Sequence, residues 1–149
     1  MTATERGAMF STVVVGADGS TTAKRAVETA ADIARTFGGT LHIVSAFEPK
    51  AVPASDRPAE FRNLTSEGDV DVLLQDLAFV AQRHDVTPTV HSAKGDAAEV
   101  IVKFAQDLDA DLVVVGNRGM KGVRRVLGSV PNSVAHGAPC SVLIVDTTE

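Results

Sequence analysis

Near the C-terminal end the chain reads GNRGMKGVRRVLGSVPNS, Gly116 to Ser133, directly after the apolar run Leu112–Val115. These are residue types that bind phosphate. Glycine lets backbone N–H groups turn toward an anion with no Cβ in the way, which suits Gly116 and Gly119. Gly128 and Ser129 stand just before a short helical pattern. Ser129 either caps that helix or donates its hydroxyl to a phosphate, and a helix N-terminus adds favourable partial charge for an anion. The alternative is a plain αβ connection with a basic surface. Arg118, Lys121, Arg124 and Arg125 all fall in this stretch. Arg118 lies inside the GxxG turn and is best placed to meet a ligand. Arg124 and Arg125 read at least as well as a solvated face.

Two other places offer polar groups in the right kind of position. Asp18 stands in the turn GADGS after the first apolar run. Its carboxylate either accepts from ribose hydroxyls or a metal, or bonds its own turn amides as Asp commonly does. Ser45 and Ala46 close the second apolar run. They are small enough to leave room for a flat base, and their backbone groups are able to read its edge. Other chemistries find no support. There is no GxxxxGK[ST] phosphate loop, and GADGS lacks the GxGxxG dinucleotide fingerprint. His42, His84, His91 and His136 show no metal-ligand spacing, so no metal site is assigned. No nucleophile, base and orienting group assemble, so no catalytic residue is assigned either. His42 and Cys140 read as structural.

The elements that must position these residues follow from periodicity. Thr12–Gly16 is a short β-branched run, read as a strand buried on both faces. Ser20 caps a helix running to Phe37, whose Ala23, Ala26, Val27, Ala30, Ala31, Ala34 and Phe37 form one apolar stripe. Gly38 and Gly39 end it through left-handed dihedrals. Thr40–Phe47 is the second strand. A polar stretch with three prolines follows, and loops of that length often cover sites. A helix over Ser66–His84, a weaker strand over Thr87–Ser92 and a helix capped by Asp96 come next. That last helix has Glu99 in the capping-box position and Ile101, Phe104, Ala105 and Leu108 facing inward. Strands over Asp111–Gly116 and Ser141–Asp146 flank a short helix at Val130–His136. Such alternation implies an α/β domain with parallel strands, right-handed crossovers and helices on both faces. Ligands of such sheets bind beyond the C-terminal strand ends, where strand order reverses.

Bulk composition fits one domain: 149 residues, 44% hydrophobic, net charge −5. Residues 1–10 read as a loose tail and 11–149 as the domain. The acidic balance gives no reason to expect nucleic acid or an anionic membrane as partner. Nothing approaches the roughly 20 apolar residues of a membrane span, and the start lacks a signal-peptide pattern. With Cys140 the only cysteine, a reducing compartment is the simplest reading, hence a cytoplasmic protein.

Taken together, TVVVGADGS, LHIVSAFEP and VVVGNRGMKG…LGSVPNSVAHGAPCSVLIV resemble the nucleotide-binding universal stress proteins over about residues 11–147. The resemblance implies a single-domain, three-layer sandwich of the adenine nucleotide alpha hydrolase-like kind, its five-stranded parallel sheet ordered 3-2-1-4-5. It implies an adenine nucleotide at the C-terminal strand ends, ATP foremost (with Mg²⁺) or cyclic AMP, in a stress-response or signalling role without strong turnover. Asp18 would approach ribose or base, Ala17 would line the base pocket, and the backbone at Ser45 and Ala46 would meet the adenine. Gly116, Gly119, Gly128 and Ser129 would hold ribose and phosphates, with a backbone amide from Val130. It further implies a homodimer through the last strand, Ser141–Asp146. A slow ATPase and a protein-interaction scaffold with a degenerate site are the competing functions. One departure stands out. Met120–Leu127, between Gly119 and Gly128, is one residue shorter than the family's pattern. One extended residue spans about 3.3 Å, so the phosphate contacts shift unless the loop absorbs the difference.

Overall fold

The computed structural model describes residues 9–18, 23–48, 67–117 and 130–146. Arg118, Gly119, Gly128 and Ser129, with the stretch between them, lie outside the described residues, as does most of the proline-containing stretch after Phe47. The elements are β1 (Thr12–Gly16), α1 (Ala23–Phe37), β2 (Thr40–Phe47), α2 (Glu67–Arg83), β3 (Thr89–Lys94), α3 (Ala97–Asp107), β4 (Leu112–Gly116), α4 (Val130–Gly137) and β5 (Ser141–Val145). The five strands make one parallel sheet in the order β3-β2-β1-β4-β5, as the resemblance implies. The chain starts at the centre, builds outward through β2 and β3, then returns to lay β4 against the other side of β1. The switch point is therefore between β1 and β4.

Strand alternation sorts the core into two layers. Val13, Val15, Leu41, Ile43, Leu112 and Val114 face α1 and α2, while Val14, Val44, Val113 and Val115 face α3 and α4. Both faces are covered, which is why the strands read as continuous apolar runs. Each such Val, Leu or Ile, fully buried, contributes roughly 1.5–3 kcal/mol relative to exposure. The α1 stripe is mostly alanine, and Ala26, Ala30, Ala31 and Ala34 are almost wholly buried. Phe37, at the end of that stripe, remains 38% exposed and meets Phe10 edge-on at 5.2 Å.

Three local details refine the sequence reading. Of the Gly38–Gly39 pair, only Gly38 takes a left-handed φ, 69°. Gly39 serves close approach instead, since a Cβ there would lie 2.5 Å from the Phe10 carbonyl oxygen. The strand expected at Thr87–Ser92 sits two residues later, at Thr89–Lys94. Pro88 has no N–H to give the ladder, and the register pairs His42 with Thr89 through Phe47 with Lys94. Asp96 caps α3 as read, its carboxylate accepting from the Glu99 N–H at 3.1 Å.

The histidines divide into two kinds. His84, just past α2, faces α1: Nδ1 meets Asp32 at 2.9 Å and Nε2 meets Glu28 at 3.2 Å. Asp32 also pairs with Arg35 at 3.6 Å. The hydrogen bond to Asp32 and the one to Glu28 raise the His84 pKa. His42 and His91 lie side by side across β2 and β3, Nδ1 to Nε2 at 2.9 Å, with Phe104 against His91. Burial lowers both their pKa values, His42 adding repulsion on His91. The signs are opposite. The His84 contribution is complete below the ordinary histidine pKa of about 6.5 and is lost as pH rises through its raised folded pKa. The pair's contribution is complete above about 6.5 and is lost as pH falls through the lowered values. In urea denaturation across this range, His84→Ala should cost stability on the acid side and converge with wild type on the alkaline side. A constant difference at every pH would refute the assignment. The effect is small, because His84 and its partners are partly exposed and screened by solvent.

Candidate functional site

β1 and β4 both end in glycine, Gly16 and Gly116, at the switch point. Between their C-terminal ends lies a cleft with a cavity volume of about 90 Å³, many times what one water needs. Gly16, Ala17 and Asp18 supply one wall, and Val115 and Gly116 the next. Ala23 and Ala26 of α1, Ala97 and Ile101 of α3, and Val130 and Pro131 of α4 complete it. The lining is small and apolar, with the exposed Asp18 its only ionisable side chain among the described residues.

Three helices begin at this cleft: α1, described from Ala23, α3 at Ala97 and α4 at Val130. Each N-terminus carries roughly half a positive charge from its aligned peptide dipoles. Unpaired N–H groups at such ends bind anions. The geometry thus combines an apolar slot, a carboxylate at its mouth and a convergence of positive dipole ends. It suits a ligand with a flat or apolar part, hydroxyls and a negative charge.

A side chain at position 16 would force Ile101 to move. A Cβ there would collide with Ile101 Cδ1 and lie 3.0 Å from Ile101 Cγ1 and 3.4 Å from Val115 Cγ1. The far end of β4 is tied down separately. The Asn117 N–H donates to the Val145 carbonyl at 2.9 Å, and its side-chain amide donates to Asp146 at 3.0 Å.

Of the sequence candidates, Ala17, Asp18, Gly116 and Val130 line the cleft together. Ser45 and Ala46 do not. Ser45 is 1% exposed and its hydroxyl donates to the Ala17 carbonyl at 2.8 Å, while Ala46 is half-buried beside Ala93. Arg118, Gly119, Gly128 and Ser129 cannot be placed, being outside the described residues. Sequence reasoning missed Gly16, Ala23, Ala26, Ala97, Ile101, Val115 and Pro131 as lining residues. Gly16 carried a signal, since it follows TVVV just as Gly116 follows LVVV. Ile101 read only as core, because periodicity shows that a residue faces inward and not what it faces.

Among the described residues, no group of three or more His, Cys, Asp or Glu is placed to hold a metal. Their helices include none long and apolar enough to cross a membrane. Burial, and secondarily the charge of Asp111, push the Cys140 thiol pKa up, so that thiol is not an activated nucleophile.

Comparison with known proteins places this geometry among relatives. Residues 9–146 match the Universal stress protein family. A universal stress protein of Mycobacterium tuberculosis is 35% identical over 153 residues, covering 93% of this chain and 98% of that one. One from Thermus aquaticus is 33% identical over 141 residues, covering 92% and 99%. The crystal structure of a universal stress protein in complex with cAMP is similar at a TM-score of 0.75 and 32% identity, over 93% of this chain and 98% of that one.

Proposed function

The chain belongs to the universal stress protein family, and on that footing we propose that it binds an adenine nucleotide at the C-terminal ends of β1 and β4. The observation that carries this reading is the cleft itself. It sits at the switch point, joins Asp18 to an apolar slot, and receives three helix N-termini. Asp18 accepts from ribose hydroxyls. The start of α4 at Val130 and the turn at Gly116 face the phosphate, whose remaining contacts come from Gly119, Gly128 and Ser129. ATP, bringing Mg²⁺ with its phosphates, is the first candidate. Cyclic AMP is a second reading, favoured by its presence in the structural relative. A single cyclic phosphate also makes less demand on the shortened Met120–Leu127 stretch.

The role is binding in a stress response or signalling pathway, without strong turnover. No general base stands with Asp18 in the cleft lining among the described residues, which favours a binder over a slow ATPase. The protein acts in the cytoplasm as a homodimer paired through β5, whose outer edge would otherwise remain open to association.

Calorimetry on nucleotide-stripped protein tests the reading with ATP, ADP and cyclic AMP. Asp18→Ala should weaken binding by about tenfold or more, the worth of one hydrogen bond to a charged group. Absence of heat with all three nucleotides on folded protein would defeat the proposal.

A further inference from the structure

β2 and the edge strand β3 bring together two histidines that stand 49 positions apart in the chain. The register pairs Val44 with His91, so His91 is the diagonal neighbour of His42 on one face of the sheet. Val44 belongs to the layer facing α3 and α4, and the Phe104 ring of α3 stands 4.8 Å from that of His91. Both histidines are half-buried. His42 Nδ1 and His91 Nε2 are 2.9 Å apart, and among the described residues neither ring has another hydrogen bond. No buried side-chain nitrogen or oxygen there lacks a partner, so the second nitrogen of each ring opens to water. Packing gives no preference for imidazoles here. On the same face, β1 and β4 carry only valines, Val14, Val113 and Val115, and aliphatic side chains have no polar atoms to satisfy.

We propose that His42 and His91 form a two-histidine site for a divalent transition metal ion of the nitrogen-preferring class, Cu²⁺ or Ni²⁺ ahead of Zn²⁺. Metal–imidazole bonds run about 2.0–2.1 Å. Two such bonds at the right angle of a square-planar centre put their nitrogens about 2.9 Å apart, against about 3.3 Å for a tetrahedral one. The observed 2.9 Å meets the square-planar spacing with no movement of the strands. The ring centroids are 5.2 Å apart and the planes 26° from parallel, so the two nitrogens now face each other nearly end on. Each ring must therefore turn its lone pair toward a common point. The histidine χ2 torsion is broad and allows this. Burial holds both rings below the ordinary histidine pKa, His91 also through His42. Neutral imidazole is the form that binds metal. The ring that gives the hydrogen bond carries its proton on the inner nitrogen. On binding, that proton passes through water to the outer nitrogen, and the protein neither gains nor loses one. Water completes the coordination. Mg²⁺ and Ca²⁺, which take oxygen ligands, are not suited to this pair. The bound ion ties edge strand β3 to β2 and so stabilises the folded chain.

The test uses the full chain, stripped of metal and free of nucleotide, so its outcome is independent of the nucleotide reading. A His84→Gln, His136→Gln background removes the other two histidines. Titrated with CuCl₂, this protein should bind one ion, and its electron paramagnetic resonance spectrum should show splitting from two nitrogen ligands. Adding His42→Gln or His91→Gln should each weaken Cu²⁺ binding at least about tenfold and remove one nitrogen from the spectrum. NiCl₂ should raise the melting temperature of the background protein and leave both variants unchanged, while MgCl₂ should have no effect on any of them. Calorimetry above neutral pH, in two buffers of different ionisation enthalpy, should give equal heats because no proton is released. The spectrum of the background protein decides the matter even where a variant fails to fold. A spectrum with fewer than two nitrogens, or no binding at all, overturns the proposal. So does Cu²⁺ affinity that survives in a folded His42→Gln or His91→Gln protein.

Discussion

Gly16→Ala is expected to weaken nucleotide binding more than any other single-methyl change at the cleft. The added Cβ would collide with Ile101 Cδ1, with Cγ1 at 3.0 Å and Val115 at 3.4 Å. Val115 is a sheet residue and cannot retreat, so the Ile101 side chain must turn. On one side of Ile101 is the packed layer of Val113, Val115 and Ala105. On the other is the cleft it lines. The displaced methyl takes the open side and fills the slot. Overpacking of this kind costs about 1–3 kcal/mol of stability, and a blocked slot lowers affinity by at least about tenfold, more than 1.4 kcal/mol. Calorimetry and thermal melting read the two effects separately. Ile101→Val removes the clashing Cδ1, so the Gly16→Ala, Ile101→Val double variant should recover part of both losses. The pair should couple by about 1 kcal/mol or more. A Gly16→Ala protein that melts and binds like wild type would show that the slot is not where the ligand sits.

Asp111→Ala should destabilise the fold by about 2–4 kcal/mol, as expected for several hydrogen bonds sharing a charged acceptor. Its Oδ2 accepts from the Ser11 N–H at 3.1 Å, the Ser11 hydroxyl at 2.7 Å and the Thr12 N–H at 2.9 Å. The Asp111 N–H meanwhile donates to the Thr12 carbonyl at 2.9 Å. One carboxylate oxygen thus fastens the entry of β1 to the entry of β4, the two strands whose far ends form the cleft. Ser11→Ala removes one of the three donors and should cost about 0.5–1.5 kcal/mol. Urea denaturation should show the midpoint falling while the slope stays constant, since the surface exposed on unfolding is unchanged. An Asp111→Ala midpoint within error of wild type would remove this carboxylate from the account. The Cys140 thiol gives a second readout. Asp111 contributes to its raised pKa after burial, so loss of the carboxylate should speed alkylation of the folded protein.

Much of the fold was legible because it depends on local order. TVVV and LVVV, each closed by glycine, mark buried strands. The alanine stripe of α1 marks a helix packed close to a sheet. Asp96 with Glu99 marks a helix start, and alternation forces parallel crossovers. Those features pointed to the strand ends as the candidate site and to Asp18 and Gly116, which line the cleft there. The positions that slipped did so for tertiary reasons. β3 moved two residues because its register is set by β2, and Gly39 is required by the backbone of residues 10 and 11 rather than by its own dihedral.

By itself, then, the sequence determined the succession of strands and helices, the loops at the C-terminal strand ends, and the family likeness that points to an adenine nucleotide. These depend on period-two and 3.6-residue patterns, turn chemistry and motif residues a few positions apart. Only the tertiary structure decided that Ile101 shares a cleft with Ala23 and Pro131, and that the Ser45 hydroxyl reaches Ala17. It also decided that Asp111 holds Ser11 across 100 positions of chain. Such contacts depend on strand order and register, which place distant segments about 4.8 Å apart, and no local periodicity encodes which side chain will meet which.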